Sequence, residues 1–219
     1  MIIGTQDETF SHKRDRLRRG KFNGAYYYAQ EIEKNIIPKI KTNMNWVLVR
    51  PKICPDNSIV FVHSNVNLEK LDDWLGGKRN LVLVCSVEPT YEYCKKFGKS
   101  VFLPLSVDVD YVKQFKCEKT RDAAYCGNLW KFKHKDFLEL VKPGTHILTD
   151  IPREQMLQEM AKYKSIYAVG RCAIEARVLG CDILYCDSRY PDPSIWKIYD
   201  NKDAAENLNA QLKSLGVAE

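Results

Sequence analysis

The stretch Lys164–Asp187, KSIYAVGRCAIEARVLGCDILYCD, decides the fold class. Ser165 to Val169 is apolar enough to be an interior parallel strand, and Gly170 permits a tight turn after it. The helical pattern from Arg171 to Leu179 stops at Gly180, a natural C-cap, and Asp182 to Cys186 supplies the next strand. In a unit of this kind the end of the first strand and the free N–H groups of the helix face one crevice. That crevice is the usual place for a phosphate or nucleotide. Glu175 stands one turn inside the helix.

The same alternation runs along most of the chain. Strands are expected at Trp46–Val49, Ile59–His63, Leu81–Cys85 and Val101–Leu103. Helices are expected over 24–41, with a doubtful last turn at Pro38, and over 67–75 and 90–97. After Pro104 the pattern restarts. Asp108 can N-cap a helix to Phe115, and strands at Ala123–Cys126 and Thr145–Leu148 alternate with helices at 136–141 and 153–163. An amphipathic helix at 202–215 closes the chain, and residues 1–20 read as irregular. This is an α/β fold with parallel sheets in two similar halves. The division is 1–107, 108–200, and a C-terminal helix, 201–219, that packs back on the first half.

Bulk properties narrow the function. Of 219 residues, 45% are hydrophobic and 28% charged, as in ordinary soluble proteins, and no apolar run is long enough to span a bilayer. Met1-Ile2-Ile3 is followed at once by polar residues, so no signal peptide is expected and the location expected is cytoplasmic. Eight cysteines form no CxxC pair, and four histidines add no metal spacing. Buried free thiols account for them better than zinc or disulfides. The net charge of +6 gathers at Lys13–Lys21, six basic residues in nine, and at Lys131, Lys133, His134 and Lys135. Such clusters suit anionic partners, among them nucleotide phosphates, an acidic acceptor or nucleic acid. They are equally what a solvated basic face looks like.

Three segments carry a resemblance. VFLPLSVDVDYV (101–112), AAYCGN (123–128) and AVGRCAIEARVLGCDILYCD (168–187) are similar, in order and position, to the hinge, first donor-domain turn and late donor segment of glycosyltransferases with two facing Rossmann-like domains, the GT-B fold. The resemblance implies a sugar transferred from a nucleotide diphosphate donor to an unidentified acceptor, without a metal or other cofactor. It implies that Glu175 accepts hydrogen bonds from ribose hydroxyls, and that Gly170, Gly127 and Asn128 line the donor turns. Arg171 would neutralise the diphosphate, with Lys133 or Lys135 reaching it from a neighbouring loop. Two positions depart from the family: Tyr167 stands where an earlier acidic partner of Glu175 is usual, and Asn128 where arginine is common.

In the first half, Gly20 to Gly24 matches the place of the family's glycine-bearing loop, with Gly24 opening a helix. GKFNG lacks the spacing of a P-loop. His63, at the end of its strand, is a candidate base for an acceptor hydroxyl, and Glu88, past the next strand, is the rival. For each of these residues a purely structural role competes. The alternative for the whole chain is a non-catalytic protein of the same fold that binds nucleotide or nucleic acid.

Overall fold

A computed structural model describes residues 1–3, 24–48, 54–63, 68–127 and 139–219. The fold is α/β with parallel sheets, and the chain divides into two compact units. Of the described residues, one contains 1–3, Ala25–Pro104 and Asn201–Glu219, and the other contains Gly24 and Leu105–Asp200.

The first unit is built on β1 (Ile2–Ile3), β2 (Asn45–Val47), β3 (Ser58–Val62), β4 (Leu81–Cys85) and β5 (Lys99–Phe102), hydrogen-bonded in that order and all parallel. Every residue of β3 and β4 is buried, the mark of central strands covered on both faces. Alternate side chains separate the two faces. Val60, Val62, Leu83 and Cys85 pack with Leu71, Trp74 and Leu75 of α2 (Lys70–Leu75) and Cys94 of α3 (Glu88–Cys94). On the other face Phe61 meets Trp46, and His63 meets Tyr28 of α1 (Gly24–Glu31).

Several boundaries move from the sequence expectation. The sequence predicts irregular chain where β1 lies, because two residues carry no periodicity. The single helix expected over 24–41 is α1, then a π turn at Ile32–Ile36, then a 3-10 turn at Ile37–Lys39 that holds Pro38. The ring of Pro38 removes an N–H and suits the tighter turn. Helix α3 begins at Glu88, two residues before Thr90, because Pro89 fits the first helical turn.

The second unit is built on β7 (Arg121–Cys126), β8 (His146–Leu148), β9 (Tyr163–Tyr167) and β10 (Asp182–Leu184), all parallel, in the order β10-β9-β7-β8. Helix α4 (Val109–Lys113) is capped by Asp108, whose Oδ1 accepts from the Tyr111 N–H at 3.0 Å. α5 (Arg153–Met160) and α6 (Arg171–Val178) follow β8 and β9. Tyr163, expected in a helix, opens β9 instead. Helix α5 stops at Met160, and the Lys162 carbonyl accepts from Thr120 and Arg121 at the start of β7. Strands β6 (Ser106–Val107) and β11 (Tyr199–Asp200) make a separate parallel pair that the sequence did not announce.

After β11 the chain returns to the first unit as α7 (Asn201–Ser214). Its Ala204, Ala205, Leu208 and Leu212 are buried, and the helix packs on β5 and the turns after α1. Asn201 Nδ2 donates to Glu31 Oε2 at 2.9 Å, and Gln211 Nε2 donates to the Phe102 carbonyl at 3.0 Å. Among the described residues no helix is long and apolar enough to cross a membrane. All eight cysteines are free, and only Cys117 is exposed.

Because Leu208 is fully buried where α7 meets the first unit, Leu208→Ala leaves a cavity. We expect a stability loss of about 2–5 kcal/mol, measured by urea denaturation with an unchanged m-value.

Candidate functional site

Strand order singles out one candidate position. In the second sheet the chain passes from β7 out to β8, then returns to the other side of β7 for β9 and β10. The reversal falls between β7 and β9, and ligands of open parallel sheets bind outside the strand ends at such a point. The first sheet runs β1 to β5 without reversing, so among its described strands it offers no equivalent position.

Gly127 follows β7 and Gly170 follows β9 closely, at neighbouring carboxyl ends paired as Tyr125↔Tyr167. The two glycines are required for different reasons. A Cβ on Gly127 would lie 2.5 Å from the Tyr125 hydroxyl, so this glycine makes room for a buried ring. Gly170 has φ 63° and ψ −140°, a conformation essentially reserved for glycine, and a Cβ there would meet nothing within 4 Å. The backbone before α6 is therefore strained for any other residue and has open space beside it. The first N–H groups of α6 lack partners within the helix by geometry, and its positive end lies here.

Glu175 is not on the helix surface. Its side chain is 2% exposed, and its Oε1 accepts from Arg153 Nη2 at 2.9 Å and pairs with Arg171 Nη2 at 3.2 Å. Both arginines are themselves well covered, 12% and 7% exposed. Arg153 is the first residue of α5 and Arg171 the first of α6, so two helix N-termini deliver their guanidiniums to one carboxylate oxygen. Both contacts run to Oε1. The guanidinium of Arg153 also lies 5.6 Å from the Tyr111 ring centroid, within cation–π range.

Past β10, Asp187 is buried and held by a two-pronged contact from Arg189, Nε to Oδ1 and Nη2 to Oδ2, each 2.8 Å. Tyr125 lies beneath this edge in an apolar cluster with Tyr167, Val169 and Cys186. Burial pushes its hydroxyl well above the usual tyrosine range, and nearby Cys186, Cys172, Cys126 and Asp187 push the same way, so it stays protonated.

In the first unit His63 directly follows β3. Its Nε2–H donates to the Leu48 carbonyl at 2.7 Å, and its ring stacks on Phe61. Holding Nε2 as the donor assigns any proton acceptance to Nδ1. Glu88 is exposed as the first residue of α3, where a carboxylate complements the positive helix end. The two sit at the carboxyl ends of adjacent strands, β3 and β4. Gly24 opens α1. Asn128, Lys133, Lys135 and the basic run Lys13–Lys21 lie outside the described residues. Among the described residues, no group of three or more His, Cys, Asp or Glu side chains could hold a metal ion.

Sequence reasoning missed Arg153 and the Asp187–Arg189 pair. Arg153 lies 22 positions from Glu175, and no local spacing links them. The available signal was its place after Pro152, where a helix was expected to start at the same sheet edge. No protein-family model, curated protein or solved structure matches the chain to a significant degree. The chemistry of the edge is therefore what there is to read.

Removing Glu175 leaves two covered guanidiniums without their carboxylate. Glu175→Ala should cost about 3–5 kcal/mol in chemical denaturation. Gly170→Ala should cost about 1–3 kcal/mol, through backbone strain rather than a clash.

Proposed function

We propose that the second unit binds a nucleotide diphosphate sugar at the β7–β9 edge, and that the protein transfers the sugar to an acceptor hydroxyl in the manner of GT-B glycosyltransferases. The observation that supports this reading best is the Gly170 turn, open beside its backbone at the strand-order reversal and leading straight into a helix carrying Arg171 and Glu175.

Each group has work to do under the proposal. Oε2 of Glu175 accepts from a ribose hydroxyl, while Oε1 stays with the arginines. The N-terminal amides of α6, with Arg171 and Arg153, meet the diphosphate charge, which grows as the bond to the sugar breaks. This supplies a positive group of the kind the resemblance expects from an arginine at the position that Asn128 holds in the sequence. The candidate bases for the acceptor hydroxyl are His63 and, as its rival, Glu88; the base takes the hydroxyl proton as the acceptor oxygen bonds to the sugar carbon. The electron pair of the broken bond leaves with the diphosphate. An anionic acceptor, nucleic acid included, matches the basic clusters of the sequence.

One observation favours a second reading. Glu175 is already engaged by two guanidiniums, as a purely structural carboxylate would be. On that reading the protein binds nucleotide, or nucleic acid, without catalysis.

Thermal shift against UDP-, GDP-, ADP- and TDP-sugars tests the proposal. A ligand at 100 times its Kd should add about 2.7 kcal/mol of stability. Arg153→Gln and Glu175→Gln, each checked for folding by circular dichroism, should weaken the response about tenfold or more. Release of nucleoside diphosphate on adding acceptor separates transfer from binding alone. Silence across the panel refutes the donor site, and binding without release under any acceptor favours the second reading.

A further inference from the structure

At the amino edge of the second unit, opposite the strand ends just described, Lys119 has all three ammonium protons placed. Its Nζ donates to the Ala161 carbonyl at 2.9 Å, the Leu179 carbonyl at 3.0 Å and the Cys181 sulfur at 3.1 Å. Ala161 caps the C-terminus of α5 and Leu179 that of α6, so one cation closes the negative ends of both helices. Two carbonyls would be enough for that purpose. The third partner is a thiol, set by the turn after Gly180 (φ 82°), where Cys181 N–H bonds back to Ala176 O at 2.9 Å. Cys181 Sγ also contacts the Met160 carbonyl at 3.5 Å. A nucleophilic nitrogen and an oxidisable sulfur are thus held at contact distance, 62 positions apart in the chain.

We propose that Lys119 and Cys181 form an oxidative cross-link site, closed by a peroxide. Peroxide converts the thiol to a sulfenic acid and releases one water. Lys119 gives a proton to solvent, its amine attacks the sulfenic sulfur, and hydroxide leaves to become the second water. The product is an S–N bond, and the protein has lost two hydrogens. Proximity makes the second step favourable, since amine and sulfur need no search. Burial pushes the Cys181 thiol up, and the Lys119 charge partly offsets it, so the first step is slow and responds to sustained oxidant rather than a trace. The bond would fix the closing ends of α5 and α6, whose opposite ends carry Arg153 and Arg171.

The full-length protein, treated with hydrogen peroxide, quenched by alkylation and digested, provides the test. Expected are a loss of about 2 Da in intact mass, a joined peptide pair containing residues 119 and 181, reversal by dithiothreitol, and a melting temperature raised by several degrees, roughly as for other long-loop cross-links. Cys181→Ser should abolish the link. Lys119→Arg keeps the charge and the carbonyl contacts yet cannot make the bond, so it too should show none. The proposal is overturned if Cys181 remains a free thiol or goes to sulfinic acid unlinked. It is equally overturned if the mass loss maps to a disulfide with the exposed Cys117, or persists in Lys119→Arg.

Discussion

One buried carboxylate organises the second unit. Glu175 draws Arg153 from the start of α5 and Arg171 from the start of its own helix onto a single oxygen. Sheet hydrogen bonds fix the strands, but this pair fixes how the two helices enter beside the strand ends. Withdrawing one partner from such a contact costs several kcal/mol, against a total stability of roughly 5–15 kcal/mol for a domain. The arrangement also concentrates positive charge where two helix N-termini already supply it. A structural demand and a capacity to meet an anion thus come from the same three residues.

The two units use the same α/β vocabulary with different consequences. Monotonic strand order in the first sheet places His63 and Glu88 at strand ends without a topological gap beside them. Reversal in the second sheet puts β8 and β10 on opposite sides of the β7–β9 pair, and Gly170 adds open space after β9. Topology alone therefore gives the second unit, and not the described strands of the first, the position at which open parallel sheets bind ligands. In the first unit, the hydrogen bond to the Leu48 carbonyl fixes the imidazole of His63. At the opposite edge of the second sheet, Lys119 closes the same two helices whose beginnings Glu175 gathers.

Much of this was readable in the chain. The β9–Gly170–α6–Gly180–β10 succession is local, and glycine punctuation with apolar runs reports it directly. The burial of seven of the eight cysteines followed from their place inside or beside apolar segments, and Cys117 alone is exposed. What escaped depended on distance along the chain or on elements too short for a pattern. β1, β6 and β11 have two residues each, and β6 pairs with β11 across some ninety positions. Of the partners of Glu175, Arg171 lies four residues earlier on the same helix, within the reach of local spacing, whereas Arg153 comes from another element and leaves no mark in GRCAIEARV. Helix starts were misjudged where proline fits the first turn, as at Glu88-Pro89, because the same residue also ends helices.

Hydrogen exchange read amide by amide, with and without a saturating nucleoside diphosphate, puts the account to its most direct trial. Slowed exchange confined to the segment from Gly170 through Glu175 and the first turn after Pro152 is the result it predicts. Protection only in the first unit, or uniform exchange with bound nucleotide, would contradict it.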